Sequence, residues 1–213
     1  MAVKTKIIKI DTSLDVSDKV KNIAKVLKEE GIIVYPTDTF YGLGASCFSE
    51  KAIQRIYKLK KREPSKPISI IISDINIVRD IAKDIPSLFW KMAGEFWPGP
   101  LTLVLKASPR LPRGMLGPGD SIGIRQTALS WIRGLLEETG FPITATSANI
   151  SGEKEISDPE IIRGSFLGLV DLIVDGGETR GALPSTVVDL TSAKPVIIRE
   201  GVVPRSILGK YLE

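Results

Sequence analysis

Two hydrophobic periods take turns along almost the whole chain. Val16, Val20, Ile23 and Leu27 recur at helical spacing, and Gly31 follows as a stop. Ile32-Ile33-Val34-Tyr35 is then an unbroken apolar run, the pattern of a buried strand, closed by Pro36. Ala52, Ile53, Ile56, Tyr57 and Leu59 mark a second helix, opened by Ser49 and running into the basic residues 58–62. Residues 68–72 read as another strand. Helical patterns at 75–83 and 86–96 follow, with Pro86 suited to a first turn. Strands at 101–105 and 121–124 lie on either side of a Gly/Pro-rich loop. Residues 129–139 are helical and 143–146 a strand, with further strands at 169–175, 186–190 and 196–199 and a last helix near Pro204.

This interleaving, without a repeat or a low-complexity linker, predicts an α/β fold: one domain over residues 1–213, with a twisted mixed sheet flanked by helices. The short gap between 186–190 and 196–199 predicts a hairpin, and so some antiparallel pairing. A length of 213 residues with 43% hydrophobic and 25% charged residues allows a real core and excludes a disordered or collagen-like chain.

The chain contains no histidine and one cysteine, Cys47. Ser-His and Cys-His catalysis, histidine-ligated zinc, an internal disulfide and Cys-cluster metal sites are therefore excluded, and no protein metal site is expected. The formal charge is +4, mildly basic and far short of a nucleic-acid tail. The amino terminus has no long apolar segment behind it, and no stretch reaches the length of a membrane-spanning helix, so the expectation is a cytoplasmic protein away from membranes.

Several segments could carry chemistry. Residues 114–121 have the glycine spacing of a P-loop, but Asp120 stands where the phosphate-binding lysine belongs and would repel phosphate. Between residues 58 and 66, Lys58, Lys60, Lys61, Arg62 and Lys66 face a single anion, Glu63. A basic helix end is often only solvated surface. Here Pro64 and Pro67 stiffen the loop and hold Lys66 near the mouth of the next strand, which suits an anion such as a triphosphate. Tyr35-Pro36-Thr37-Asp38-Thr39-Phe40-Tyr41-Gly42-Leu43-Gly44 reads as a polar turn leaving a core strand. In it Thr37 and Asp38 either satisfy local backbone donors or face a ligand. Residues 142–152 open a short strand into small hydroxyl and amide side chains. Arg125, Ser185 and Arg199 lie at other strand ends. With no candidate nucleophile or base among them, these segments suggest a site that binds and orients anions. That leaves an α/β enzyme and an RNA-binding domain both open.

Tyr-Pro-Thr-Asp-Thr at 35–39, Tyr41-Gly42-Leu43-Gly44, Lys60-x-Arg62-x-x-x-Lys66-Pro67, Trp97-Pro98-Gly99-Pro100-Leu101-Thr102, Gly123-Ile124-Arg125, Thr146-Ser147-Ala148-Asn149-Ile150-Ser151-Gly152 and Pro184-Ser185-Thr186 together resemble the YrdC-like threonylcarbamoyl-AMP synthases. The motifs follow the family's order from about 18 to 201. The resemblance implies a YrdC-like α/β fold with a positively charged concave face. It also implies a nucleotidyltransferase that converts L-threonine, bicarbonate and ATP to threonylcarbamoyl-AMP and pyrophosphate. The product would serve threonylcarbamoyladenosine modification of tRNA through a downstream threonylcarbamoyl-transferase complex. Carried over by position, Thr39, Arg125, Ala145 and Ser185 would hold threonine. Lys60, Arg62, Lys66, Ser121, Ser147, Asn149 and Arg199 would hold ATP, with Lys60, Arg62 and Arg125 the catalytic group. Mg²⁺ would ride mainly on ATP phosphates and water. Lys66 stands where relatives often have Asn, and a family serine that contacts ATP falls near Glu155. The chain ends at Glu213 and so resembles the short, single-domain form, which would hold ATP more openly than longer relatives.

Two other readings compete. A non-enzymatic RNA-binding domain, for tRNA or double-stranded RNA, would use the same basic concavity; the modest charge and the lack of aromatic stacking motifs weigh against it. A carbamoyl-transfer module with a different acceptor usually belongs to a longer, zinc-bearing chain, and a chain with one Cys and no His fits that poorly.

Overall fold

A computed structural model describes residues 3–12, 14–181 and 183–212; Met1, Ala2 and Glu213, which the single-domain reading includes, lie outside the described residues. In chain order the first half contains β1 (Lys6–Lys9), α1 (Ser17–Lys28), β2 (Ile33–Pro36), β3 (Tyr41–Gly44), α2 (Glu50–Lys60), β4 (Ser69–Ile72), α3 (Val78–Ile81), β5 (Ala82–Lys83) and α4 (Ser87–Phe96). The second half contains β6 (Leu101–Ala107), β7 (Ser121–Gln126), α5 (Ser130–Thr139), β8 (Ile143–Ser147), α6 (Pro159–Phe166), β9 (Leu172–Asp175), β10 (Thr186–Asp189), β11 (Val196–Arg199) and α7 (Arg205–Leu208).

The strands form one mixed sheet in the order β1-β9-β2-β3-β8-β4-β7-β6-β10-β11, with β5 beside β6. Four pairs are parallel: β1/β9, β2/β9, β4/β7 and β6/β10. The expected hairpin forms, β10 and β11 pairing antiparallel with Val188 opposite Ile197.

The unbroken apolar runs have a simple cause: helices cover both faces of the sheet, so successive side chains enter different cores. Ile33, Tyr35, Ile71, Leu172 and Val174 pack with α1 and α5. Their neighbours Val34, Ile70, Ile72 and Ile173 pack with α2, α4 and α6. Ser49 caps α2 as expected, its Oγ accepting from the Ala52 amide at 3.2 Å.

Four local readings are corrected. Glu30, not Gly31, takes the left-handed conformation after α1 (φ 58°). Gly31 is needed for contact instead, since a Cβ there would sit 2.7 Å from the Val26 carbonyl oxygen. The single helix expected at 75–83 is divided into a 3-10 turn, Ile75–Ile77, the short α3, and strand β5, which pairs with β6 through Lys83 and Lys106. Tyr41–Gly44, expected within a turn, is strand β3, fully buried and paired with β2 and β8. Strand β1 and helix α6 have no counterpart in the sequence reading.

Candidate functional site

One cavity crosses the middle of the sheet, and residues from β2, β3, β4, β6, β7, β8, β10 and β11 and their loops line it. Its polar ring is assembled from strand ends, where side chains leave the ladder without leaving the rigid frame.

The turn between β2 and β3 turns on Thr37. Its Oγ1 donates to the Phe40 carbonyl at 2.6 Å and accepts from the Thr39 amide at 3.1 Å. Thr37 and Thr39 face the cavity, while Asp38 between them is not on its lining. Asp38 does not cap the turn: both its oxygens accept from Arg125 Nη2, each at 2.7 Å. Arg125 Nε donates to the Gly99 carbonyl at 3.0 Å, and the Gly99 amide is itself tied to the Gln126 carbonyl. The Arg125 side chain is only 11% exposed, whereas its Asp38 partner is 29% exposed, so the guanidinium is withdrawn from water and the carboxylate is half-buried.

Beneath the turn, the Tyr35 ring is fully buried, with its hydroxyl donating to the Thr144 carbonyl at 3.2 Å. Burial pushes its phenol well above the usual range. The ring lies across β3 where Gly42 and Gly44 leave room. A Cβ on Gly44 would meet it at 2.8 Å, which gives the Tyr41–Gly44 motif a packing reason.

Arg199 Nη2 donates to the Ser185 carbonyl at 2.9 Å, and Ser185 Oγ lies 2.9 Å from Thr102 Oγ1. Arg62 is held by carbonyls as well: Nη2 to Pro67 at 2.9 Å and Nε to Lys66 at 3.2 Å. Burial lowers the pKa of both guanidiniums; the Glu155 carboxylate opposes the shift at Arg199, and Tyr57 opposes it at Arg62. Among the described residues no carboxylate pairs with either, whereas Arg125 has Asp38.

Of the residues expected from sequence, Thr39, Arg62, Arg125, Ala145, Ser147, Ser185 and Arg199 meet on the cavity wall. Lys60, Lys66, Ser121 and Asn149 are not on it. Lys60 lies underneath, 1% exposed. Its ammonium donates to the carbonyls of Ser147 and Asn149 and to Asn149 Oδ1, so all three protons have acceptors inside the protein. Burial pushes its pKa down to about 8; Arg62 adds to the fall and Glu155 opposes it. Asn149 in turn accepts from Ser147 Oγ at 2.7 Å and donates to the Glu153 carbonyl at 2.7 Å. Lys60 and Asn149 thus brace the 147–153 loop, with Ser147 presented to the cavity. Lys66 points outward, its Nζ 3.8 Å from Glu63. Ser121 is buried at the foot of a tight turn opposite Gly117. The wall also includes Ser69, Thr102 and Glu155; Thr102 lies in the Trp97–Thr102 motif and Glu155 near the family serine, while nothing in the sequence pointed to Ser69.

Comparison with known proteins places this geometry. The family model for Sua5, YciO and YrdC proteins, described as Telomere recombination, matches residues 25–201. A threonylcarbamoyl-AMP synthase of Pyrococcus abyssi is 38% identical over 194 residues, 91% of this chain and 57% of that protein. A putative threonylcarbamoyl-AMP synthase of Methanocaldococcus jannaschii is 38% identical over 208 residues, covering 96% of this chain and 97% of its own. The structure of P. abyssi Sua5 complexed with L-threonine superposes with a TM-score of 0.91 at 37% identity, over 98% of this chain and 61% of that one. E. coli YciO gives 0.87 at 28% identity, over 94% and 98%. The chain therefore spans under two thirds of the P. abyssi protein and nearly all of the M. jannaschii one. With the family model covering most of its length and such relatives on either side, the chain belongs to the Sua5/YciO/YrdC family.

Proposed function

We propose that this chain makes threonylcarbamoyl-AMP from L-threonine, bicarbonate and ATP, releasing pyrophosphate and water. The observation that carries the reading is the meeting, in one cavity, of an arginine held by Asp38 with two guanidiniums that have no carboxylate partner in direct contact among the described residues. Arg125, Thr39, Ala145 and Ser185 would receive threonine; the existence of a threonine complex of P. abyssi Sua5, 37% identical to this chain, supports threonine as a ligand. Arg62, Arg199 and Ser147 would receive the triphosphate, while Lys66 and Ser121, which are not on the wall, would assist only if the nucleotide extends beyond it.

The chemistry asks little of the protein beyond placement. The threonine amine attacks the carbon of bicarbonate, losing a proton and expelling water, to give a carbamate. A carbamate oxygen then attacks the α-phosphorus, and pyrophosphate departs. Both nucleophiles belong to substrates, so a cavity without histidine is sufficient. Holding the reactants in line supplies about 7–11 kcal/mol of the barrier reduction, and the guanidiniums neutralise charge on the leaving phosphates. Lys60 acts through Ser147 and Asn149, which it fixes. A magnesium ion would be carried in on the nucleotide, with Glu155 the carboxylate on the wall that could approach it. Such an ion would shield the phosphate oxygens. The product would pass to a tRNA-modifying threonylcarbamoyl-transferase complex in the cytoplasm.

The test is pyrophosphate release from ATP and Mg²⁺ with bicarbonate, with and without L-threonine. Release that requires both threonine and bicarbonate, and falls by at least about 100-fold in Arg125→Ala, supports the proposal. Nucleotide binding without threonine-dependent pyrophosphate would leave a binding module and withdraw the enzymatic roles.

A further inference from the structure

Three guanidiniums line the cavity, and they are not electrically alike. Arg62 and Arg199 rest on carbonyl oxygens and have no carboxylate in direct contact among the described residues. Arg125 alone is paired, through one nitrogen, with both oxygens of a carboxylate. We propose that Asp38 is a positioning and selectivity residue: it fixes the plane of Arg125 and cancels its net charge, so that this part of the cavity selects a single α-carboxylate and leaves polyphosphate to Arg62 and Arg199. The inference rests on the threonine-and-ATP reading of the cavity given above.

The geometry supports each half. A guanidinium is planar, and two anchors, Gly99 at Nε and Asp38 at Nη2, fix that plane and leave Nη1 without a protein acceptor among the described residues. Asp38 is absent from the cavity wall although Thr37 and Thr39 on either side are on it, so its carboxylate reaches Arg125 from outside the lining. The turn is built to deliver it there. Thr37 closes the turn, and the Gly181 amide donates to the Thr39 carbonyl at 2.9 Å from the far side. An ion pair at 2.7 Å presents little net field to a distant dianion. It still offers directed N–H donors to an oxygen at hydrogen-bond range. A zwitterionic amino acid needs only the second, whereas a polyphosphate is drawn by the first.

The experiment measures binding of L-threonine, and separately of α,β-methylene-ATP with Mg²⁺, to the unaltered protein and to Asp38→Asn and Asp38→Glu, with pyrophosphate as competitor against threonine. In Asp38→Asn the dissociation constant for threonine is expected to rise about tenfold. Pyrophosphate is expected to displace little threonine from the unaltered protein and to become a competitor for it in this variant. Affinity for the nucleotide analogue should stay within about twofold, since Arg62 and Arg199 are untouched. Asp38→Glu should restore the selectivity for carboxylate over pyrophosphate in part. Unchanged threonine affinity in Asp38→Asn, or loss of both ligands together with a fall in melting temperature, overturns the proposal, the second by reducing Asp38 to a structural prop. If the unaltered protein binds the analogue and no threonine, the threonine half of the functional reading fails and this inference fails with it. That case is recognisable before any variant is made.

Discussion

Glu155 is the one carboxylate among the described residues on the cavity wall, and its position is braced. The Asn149 side chain holds the Glu153 carbonyl on one side, and the Tyr41 amide holds the Ile156 carbonyl at 2.9 Å on the other. Its charge is felt at Lys60 and Arg199, where it opposes the depression of pKa that burial imposes. Among the described residues it makes no direct ion pair, so its carboxylate oxygens stay open to the cavity. A fixed carboxylate at a phosphate site repels bare nucleotide and tolerates one whose charge a divalent ion has reduced. Neutralising it in Glu155→Gln should therefore tighten metal-free α,β-methylene-ATP by about three- to tenfold, roughly 1 kcal/mol at a partly exposed site. It should tighten the Mg²⁺ complex less, and isothermal titration with and without metal reads both. Equal gains in the two titrations would show that the carboxylate does not sense the ion.

At the scale of elements, β3 explains why Tyr41–Gly44 has the composition it has. Gly42 and Gly44 look like turn residues, and the reading of 35–44 as a turn follows from them. The structure uses them instead as the smooth side of a buried strand under the Tyr35 ring. A methyl group at 44 would lie 2.8 Å from Cε1 of a ring that is 1% exposed and hydrogen-bonded at its far end. Overpacking of this kind costs roughly 1–3 kcal/mol. Gly44→Ala should lower denaturant stability by that amount, and it should weaken threonine binding because Tyr35 forms part of the cavity wall. A stability within experimental error of the unaltered protein would mean that the ring has room to shift. The elements legible from sequence were those with a strong period buried on a face, such as α1, α2, β2 and β4. Helix α6 carried readable signals in Asp158, whose side chain caps it, and in Pro159 at its first turn. Strand β1 carried almost none, since Lys6–Lys9 is largely exposed and is a strand only because β9 is there to pair with. The site was legible as a set of strand-end motifs. Its internal wiring was not: Asp38 meets Arg125 across 87 positions, and Lys60 meets Asn149 across 89, distances no local pattern encodes.

The whole molecule is one sheet shared by two cores, and the cavity belongs to both. Tyr35 and Ile71 on its wall pack toward α1 and α5, whereas Tyr41, also on the wall, packs into the other core. Neither core can be lost while the strands stay in place, because alternate residues of β2, β4 and β9 fill one and then the other. Ligands that bind the cavity should therefore stabilise the entire fold and not a single lobe of it. With α,β-methylene-ATP and Mg²⁺ at about 100 times its dissociation constant, the gain is about 2.7 kcal/mol. For a chain of this length that corresponds to a rise of roughly 5–10 °C in melting temperature, in one cooperative transition. L-threonine at the same multiple should add a comparable rise. Arg125→Ala should abolish the threonine increment and keep the nucleotide one, since Arg62 and Arg199 lie on other elements and carry their charge independently. Scanning calorimetry checks all three outcomes together. Two separate transitions, with only one responding to ligand, would show that the two faces of the sheet unfold independently and that the cavity is a property of one face alone.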